Sequence, residues 1–417
     1  MMCLIALYAK MCSIRKGVFM WEKDIDINDI KEIRTRTTVY FGIGAIKKID
    51  DVVKVLKQKG VSKLIVMSGK NAYKATGAWD YVGKALKDNN IDFINYDKVT
   101  PNPTNVAIDE ALKLARDFNA QAVIAIGGGS PIDAGKSVAI LLKYPDKSAN
   151  DLYEFKFAPD SAVPIVAINL THGTGSETNR FAVATIVEKD YKPAIAYDCI
   201  YPMFAIDDPQ LMVKLSSNQT KYVSIDALNH VIEAATSKVA SPYSINLAHI
   251  CSEMVAKYLP LANENPENLE ARYYLAYAAL MGGVCFDNGL LHYTHALEHP
   301  LSAVKHELSH GLGLAILLPA VIENIWESKK ETLSYILKPV APSISADISA
   351  NEAGKLVYEW LKSVGVPNKL KDEGFCENDL DKLTDLAFKT PSLDGLLSIA
   401  PTNADKNAVH TIYQNSL

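Results

Sequence analysis

The first half of the chain alternates short apolar runs with stretches that have helical spacing. Between residues 106 and 118, apolar residues recur at positions 108, 111, 112, 115 and 118, which is the spacing of one helix face. Short apolar runs predict four buried strands: Lys63–Ser68, Ile91–Tyr96, Ala122–Ile126 and Pro164–Asn169. Because strands that alternate with helices form parallel sheets, this half predicts an open α/β domain with largely parallel strands.

The second half of the chain has a different pattern, since strand signals fade after about residue 210. Residues such as Ala, Leu, Glu and Tyr occur at helical spacing in four long segments: Thr220–Lys238, Ser244–Tyr258, Leu269–Cys285 and Lys305–Asn324. This pattern predicts an all-helical second domain. Asp207-Asp208-Pro209 is the predicted boundary, because the residue before a proline disfavours helix.

The predicted organisation is therefore an α/β domain over residues 20–209 and an all-helical domain over residues 210–417. A chain of 417 residues is too long for one core, so two domains are the default expectation. Met20-Trp21-Glu22 would make a natural start, and residues 1–19 are therefore predicted to be an upstream extension. No run of apolar residues approaches the length of a membrane span.

Charge and cysteine content narrow the class of protein. The formal net charge is −5 and the isoelectric point is about 6.0, with no run of Lys and Arg, which argues against a nucleic-acid partner and a cationic membrane surface. None of the 6 cysteines forms a C-x-x-C pair, so neither a disulfide framework nor a thiolate zinc site is expected. A cytoplasmic protein is predicted.

A glycine-rich loop after the third predicted strand is the first chemical signal. Gly127-Gly128-Gly129 leads into Ser130-Pro131-Ile132-Asp133-Ala134-Gly135-Lys136-Ser137. Glycine lets the backbone come close to a ligand, and the start of the next helix offers free N–H groups to a phosphate. The loop therefore predicts a pyrophosphate site. The same residues also suit capping, with Ser130 as the N-cap and Asp133 as the acid of a capping box.

Two other nucleotide motifs do not fit this loop. A P-loop needs four residues between the glycines of G-x-x-x-x-G-K-[ST], whereas five separate Gly129 from Gly135. The dinucleotide motif G-x-G-x-x-G fails because position 132 is Ile. A second loop of small residues, Thr171–Glu177, directly follows the fourth predicted strand, where ligands bind in open α/β sheets.

Histidines are concentrated in the second half of the chain and predict a metal site. His295 and His299 are four residues apart, as are Asp226 and His230, so each pair shares one face of a helix. A further histidine, His310, precedes Gly311. One carboxylate with several imidazoles is a plausible ligand set for Fe2+ or Zn2+. His172, His292 and His306 stay undecided, whereas His249 and His410 are interpreted as ordinary surface or hydrogen-bonded residues.

A metal ion beside a nucleotide loop is a coherent arrangement for the transfer of a hydride between an alcohol carbon and a cofactor. A metal ion lowers the pKa of an alcohol hydroxyl and polarises an aldehyde carbonyl. Because no side chain accepts a hydride, the electrons must pass to a cofactor.

Several motifs together resemble the iron-containing alcohol dehydrogenase family over about residues 21–322. They are Phe41-Gly42-x-Gly44, Pro101-Asn102-Pro103-Thr104, the GGGSPIDAGK loop, GTGSE, DALNH, and NGLLHYTHALEHPLSA followed by HG. The last of these is most similar to the branch from thermophiles and anaerobes that handles primary alcohols. The resemblance implies the fold of dehydroquinate synthase and glycerol dehydrogenase, with an α/β nucleotide domain, a helical metal domain and a cleft between them.

The resemblance also implies roles for individual residues. His299 would lie beside the nicotinamide and the substrate in a proton relay, and Lys192 would lie near the cofactor ribose. The metal ligands would be Asp226, His230, His295 and His310. The cofactor contacts in the two loops would be Gly128, Gly129, Ser130, Asp133, Thr171 and Thr174.

Three positions depart from the family pattern. His295 and His310 are fifteen residues apart, one more than in many relatives, so His306 stays an alternative last ligand. His172 stands where relatives often have Ala. Relatives that use NAD carry an acid after the first predicted strand, where this chain has Gly69 and Lys70. A carboxylate there would repel a 2′-phosphate, and so NADP(H) is the predicted cofactor.

The predicted function is therefore interconversion of small primary alcohols and aldehydes by a metal-dependent enzyme that prefers NADP(H). The expected metal is Fe2+, with Zn2+ as the alternative, and a homo-oligomer is expected. A polyol dehydrogenase or a lyase of the dehydroquinate synthase kind are the alternatives on the same fold. The segment Leu280–Leu291 has no Lys or Arg for an anionic substrate, which disfavours the lyase.

Overall fold

The computed structural model describes residues 20–25 and 29–417, and the prediction that residues 1–19 are an extension lies outside this range. Its first domain contains a six-stranded sheet in which every pair of neighbours is parallel, in the order β1-β8-β5-β4-β2-β3. The six strands are β1 (Thr38–Phe41), β2 (Lys63–Ser68), β3 (Asp92–Tyr96), β4 (Val123–Gly127), β5 (Ile165–Asn169) and β8 (Phe204–Asp207). The four strands predicted from the sequence are thus confirmed, and the predicted parallel sheet with them.

Helices cover both faces of this sheet, which explains why its central strands are continuously apolar. Ile65 and Met67 of β2 pack into one core cluster, whereas Leu64 and Val66 pack into another on the opposite face. The helices of this domain are α1 (Ile49–Gln58), α2 (Ala72–Ala75), α3 (Ala78–Asp88), α4 (Asn105–Phe118), α5 (Gly129–Leu141) and α6 (Ala149–Tyr153). The helical spacing noted after residue 106 is therefore confirmed as α4.

A short antiparallel hairpin inside the first domain has no counterpart in the sequence-based prediction. It pairs β6 (Phe181–Val183) with β7 (Ala194–Ala196). Each strand has three residues, too few for an alternating pattern to stand out from a loop. The hairpin follows the Thr171–Glu177 loop and carries Lys192 just before its second strand.

The second domain is helical, and residues 210–417 contain no strand. Its core is one large apolar cluster that also takes in Trp21. The helices are α7 (Ser217–Thr236), α8 (Pro242–Glu264), α9 (Leu269–Gly289), α10 (Tyr293–Val304), α11 (His310–Leu337), α12 (Ala350–Ser363), α13 (Leu380–Lys389), α14 (Leu393–Ser398) and α15 (Lys406–Asn415). The expected fold class is confirmed.

The predicted helical segment Lys305–Asn324 was wrong at its start. Helix α10 ends at Val304, residues 305–309 form a loop, and α11 begins at His310. Leu308 and Leu312 are both buried, so the apolar spacing continues across the break and hides it in the sequence. By length and composition α11 could also cross a membrane, contrary to the expectation that no run approaches that length. Inside the protein, however, 72% of its most apolar window is buried, as in a core helix.

Candidate active site

Three helices of the second domain deliver the four predicted metal ligands to one point. Asp226 and His230 are one turn apart on α7, His295 lies in the first turn of α10, and His310 begins α11. The Nε2 atoms of the three histidines surround Oδ1 of Asp226, at 3.3 Å for His230, 3.6 Å for His295 and 3.9 Å for His310. The structure therefore brings together all four residues.

The chemistry of this cluster fits a divalent cation. Oδ1 of Asp226 and Nε2 of His295 are buried and have no hydrogen-bond partner among the described residues, which is costly for a polar atom. Burial would raise the pKa of Asp226, but the facing histidines, His230 foremost, lower it to about 2. A carboxylate and imidazole nitrogens that converge in this way form a donor set for Fe2+ or Zn2+.

Two buried glutamates orient the histidines, and sequence reasoning missed both. Oε2 of Glu233 contacts Nδ1 of His295, and Oε2 of Glu298 contacts Nδ1 of His310. A carboxylate that accepts a hydrogen bond from Nδ1–H fixes the imidazole tautomer and leaves Nε2 free to bind a metal. Spacing could have revealed them, because each lies three residues after a predicted ligand, Glu233 after His230 and Glu298 after His295.

His299 lies beside this cluster and is also buried. Its ring centroid is 5.7 Å from that of His310 and 6.5 Å from that of His295. Its Nδ1 donates to the backbone oxygen of Lys192, at 2.8 Å, which leaves Nε2 as an acceptor. Burial, followed by the charge of Lys192, holds the pKa of His299 well below its usual value. Its role beside the nicotinamide stays a prediction.

The three undecided histidines do not point into the cluster. His306 is exposed, so the structure does not support it as the alternative last ligand. The Nε2 atom of His292 pairs with Thr236 Oγ1 at 2.9 Å, and its Nδ1 lies 3.6 Å from Glu233. His172 is a buried residue of the second loop, and its Nε2 accepts from the buried guanidinium of Arg272 at 2.8 Å. Of the other two, His249 lies on α8 and His410 on α15.

The two small-residue loops lie side by side at the carboxyl end of the sheet, because Gly127 at the end of β4 pairs with Asn169 at the end of β5. A Cβ atom on Gly128 would stand 2.8 Å from the side chain of Thr171. Similarly, a Cβ on Gly129 would stand 2.7 Å from the side chain of Thr174. Glycine is therefore required where the loops touch. At the meeting of the loops, partial exposure remains for Gly128, Ser130, Thr171 and Thr174.

The predicted capping of α5 was wrong. The helix begins at Gly129, its N-cap is Gly128 in an extended conformation, and no side chain caps it. Because the chain turns from β4 directly into the helix, Ser130 falls one residue inside it. Asp133 is half-buried and accepts from Ser176 Oγ at 2.5 Å and from the backbone N–H of Val183 at 3.0 Å. Its predicted cofactor contact stays a prediction.

Lys136 shows a role that the sequence did not reveal. It is fully buried, and its Nζ donates to the backbone oxygens of Ser176, Asn179 and Phe181 at 2.6, 2.9 and 2.7 Å. Burial lowers its pKa to about 8. Lys136, the lysine of the glycine-rich motif, therefore anchors the second loop.

Gly69 lies where the strand order reverses. After β2 the chain moves outward to β3 and then returns to the other side of β2 as β4. Ligands bind outside the carboxyl ends of the strands at such a switch point. Gly69 directly follows β2, and Ser68 pairs with Ile126 of β4, which places Gly69 beside the glycine-rich loop. Lys70 is exposed there.

Lys192 extends from the first domain into the metal cluster. Its Nζ donates to Ser302 Oγ at 2.7 Å and to Asn102 Oδ1 at 2.9 Å, and it lies 3.4 Å from Glu298 Oε2. The predicted position near a cofactor ribose stays a prediction. The contacts show that one cationic side chain links the two domains.

Comparison with known proteins identifies the family. The model of the iron-containing alcohol dehydrogenase family matches residues 36–209, and the model of the C-terminal domain of that family matches residues 220–417. A long-chain primary alcohol dehydrogenase of Thermoanaerobacter ethanolicus is 56% identical over 95% of this chain and 100% of its own length. The NADH-dependent butanol dehydrogenase A of Clostridium acetobutylicum is 31% identical over 88% of this chain and 95% of its own length.

Solved structures agree with this assignment. An archaeal halo-thermophilic alcohol dehydrogenase from a Red Sea brine pool superposes with a TM-score of 0.85 at 26% identity, covering 94% of this chain and 100% of that one. The chain thus belongs to the iron-containing alcohol dehydrogenase family. Within it, the chain falls in the branch of primary alcohol dehydrogenases from thermophilic anaerobes. Its reaction is the oxidoreduction of alcohols and aldehydes.

Proposed function

We propose that this enzyme interconverts small primary alcohols and aldehydes with a bound Fe2+, or Zn2+ as the alternative, and NADP(H). The observation that carries the proposal is the convergence of three imidazole Nε2 atoms on one unpaired, buried oxygen of Asp226. The 56% identical relative is a long-chain primary alcohol dehydrogenase, which supports a primary alcohol as substrate.

In the proposed mechanism Asp226, His230, His295 and His310 hold the metal. The ion would supply Lewis-acid polarisation of the substrate oxygen. Glu233 and Glu298 keep His295 and His310 as Nδ1–H tautomers, so that both rings present Nε2 to the same point.

His299 is proposed to relay the proton. Because its Nδ1–H is held by the carbonyl of Lys192, its Nε2 can take up a proton when an alcohol is oxidised and return it when an aldehyde is reduced. The glycine and threonine atoms of the two loops would hold the pyrophosphate, with the N-terminus of α5 facing it. The nicotinamide would then reach the cleft between the domains.

The preference for NADP(H) rests on Gly69 and Lys70. Overall similarity does not decide between cofactors, because the NADH-dependent butanol dehydrogenase A and an NADPH-dependent butanol dehydrogenase are 31% and 30% identical to this chain. At the switch point, however, Gly69 brings no carboxylate against a 2′-phosphate, and Lys70 offers an exposed positive charge.

The first experiment is an anaerobic assay of the purified, Fe2+-reconstituted protein for butanal-dependent oxidation of NADPH. We expect turnover that EDTA abolishes and that added Fe2+ restores. Assays with NADH, glycerol and 1,3-propanediol test the cofactor preference and the polyol alternative. If metal is bound but neither nicotinamide cofactor supports turnover with butanal, the proposal is wrong, and the polyol or lyase chemistry takes its place.

Gly69→Asp tests the cofactor preference directly. A Cβ at Gly69 would stand 3.3 Å from the backbone oxygen of Val99, so that the backbone there must shift by a few tenths of an ångström to accept it. A new carboxylate beside a 2′-phosphate should lower kcat/KM for NADPH by about 10-fold, or roughly 1.4 kcal/mol, with little change for NADH. Higher kcat/KM with NADH than with NADPH in the unmodified enzyme would contradict the preference.

A cytoplasmic location and a homo-oligomeric state are further proposals, tested by fractionation and sedimentation.

A further inference from the structure

We propose that Asn102, a residue of the nucleotide domain, positions the loop that carries His310 and thereby sets the metal affinity of the helical domain. This inference rests on the proposed metal-binding function. Asn102 lies in the Pro101-Asn102-Pro103-Thr104 segment between β3 and α4. It is buried and has a left-handed backbone with φ of 53°, which is uncommon for residues other than glycine.

The side-chain amide of Asn102 reaches across the domain interface to the loop of residues 305–309. Its Nδ2 donates to the backbone oxygen of His306 at 3.0 Å and to that of Leu308 at 3.3 Å. These two carbonyls belong to the break between α10 and α11, immediately before His310. A residue of the first domain therefore fixes the path of the chain that leads to the last metal ligand.

His310 is the least enclosed of the four predicted metal ligands. The side chains of Asp226, His230 and His295 are 3 to 6% exposed, whereas that of His310 is 26% exposed. Its Nε2 is also the farthest of the three from Oδ1 of Asp226, at 3.9 Å. The position of His310 follows that of the loop because it begins its helix rather than lying within one.

The side-chain oxygen of Asn102 is linked to His310 by a second route, through Lys192 and Glu298. Oδ1 of Asn102 accepts from Nζ of Lys192 at 2.9 Å. That Nζ lies 3.4 Å from Oε2 of Glu298, the oxygen that contacts Nδ1 of His310. Asn102 thus acts on His310 through the loop carbonyls of His306 and Leu308 on one side and through Lys192 and Glu298 on the other. Residues that orient metal ligands in this way typically change metal affinity by about 10- to 100-fold when replaced.

The test is a Co2+ titration of the metal-free protein in competition with a coloured chelator, together with the visible spectrum of the Co2+ form. Asn102→Ala removes both arms of the amide, and we expect about 10-fold weaker Co2+ binding with an altered spectrum. Asn102→Asp keeps an oxygen for Lys192 but loses both N–H donors to the loop. It should also weaken Co2+ binding, because the carbonyls of His306 and Leu308 lose their partner.

Asn105→Ala is the matched control. Asn105 is likewise buried, and its Nδ2 donates to Asn150 at 2.7 Å and to Glu188 at 2.9 Å, both within the nucleotide domain. We expect it to lower the melting temperature of the metal-free protein while leaving Co2+ affinity and spectrum unchanged. The rise in melting temperature on adding Co2+ should shrink in both Asn102 variants and not in the control.

The outcomes separate this inference from the function on which it rests. If the unmodified protein binds Co2+ and both Asn102 variants bind it with the same affinity and spectrum, the positioning role is wrong while the metal site stands. If the unmodified protein itself binds no Co2+, the proposed metal function fails, and the inference fails with it. Weaker binding in Asn102→Ala but not in Asn102→Asp would assign the effect to the Lys192 arm and overturn the role of the loop carbonyls.

Discussion

The cluster of predicted metal ligands and the two small-residue loops are built by opposite means. The cluster consists of side-chain atoms from three helices, and it depends on the carboxylate and imidazole groups that those side chains carry. The two small-residue loops lie at the ends of β4 and β5, where the absence of a side chain on Gly128 and Gly129 lets the loops approach each other closely. Substitutions in the cluster should therefore abolish metal binding while cofactor binding persists. Substitutions in the loops should weaken cofactor binding while metal binding persists.

The largest expected effect is that of His295→Ala, which removes a ligand and the partner of Glu233. We expect loss of bound metal and a fall in kcat/KM of more than about 100-fold, since loss of an outer partner alone costs 10- to 100-fold in affinity. Binding of NADPH, followed by its fluorescence, should persist because the loops are untouched. Metal content equal to that of the unmodified protein would remove His295 from the ligand set.

A smaller loss of activity is expected for His299→Ala, because this residue lies beside the cluster and contacts Lys192 of the first domain. Metal content and NADPH binding should both stay unchanged, while kcat falls by about 100-fold, the lower end of what a positioned acid–base group contributes. The dependence of kcat on pH should flatten, because the group that relays the proton is gone. An unchanged pH profile would exclude His299 from the relay.

Gly129→Ala should affect cofactor binding rather than metal binding. Its Cβ would stand 2.7 Å from the side chain of Thr174 and push the two loops apart, so we expect KM for NADPH to rise by about 10-fold. Metal content should not change. Gly395→Ala is the matched control, because a Cβ there meets no atom within 4 Å. Equal KM values for the two variants would contradict the close approach of the loops.

The smallest effect concerns Glu177, which is buried at the end of the second loop and whose two side-chain oxygens have no hydrogen-bond partner among the described residues. Burial raises the pKa of Glu177 from 4.5 to about 7. The folded state therefore holds this proton more tightly than the unfolded state, and stability is lost as pH rises from about 4.5 to about 7. The cost is on the order of 3 kcal/mol.

Glu177→Gln removes that ionisation, so the fall in melting temperature between pH 5 and pH 8 should shrink by a few degrees. Glu267→Gln, at an exposed position, is the control and should keep the pH dependence of the unmodified protein. A pH dependence that is the same in both variants would show that Glu177 does not titrate in this window.

Much of the fold could be predicted because its signals are local. The apolar runs that became β2 to β5 and the helical spacing of α4 depend on neighbouring residues alone, and the structure reproduces them to within a residue or two. The edge strand β1, the strand β8 and the β6–β7 hairpin were missed because three or four residues carry too little pattern. The break at residues 305–309 was missed because the apolar spacing passes through it.

The candidate site divides along the same line. The pairs Asp226/His230 and His295/His299 are visible as one-turn spacings, and the glycine-rich loop is visible as a composition. Only the tertiary structure places His310 rather than His306 at the cluster and leaves His306 exposed. It alone also shows the link between Glu233 and His295, which are 62 residues apart in the chain.

The sequence by itself determined the two domain types, the motifs and the residues able to bind a metal, because periodicity and residue identity are properties of short segments. The packing of α7, α10 and α11 decided which of those residues converge, which carboxylates orient them, and how Asn102 and Lys192 reach across from the other domain. Burial, unpaired atoms and close approaches arise from contacts between distant segments. No local pattern encodes them, and they are what makes the cluster a site.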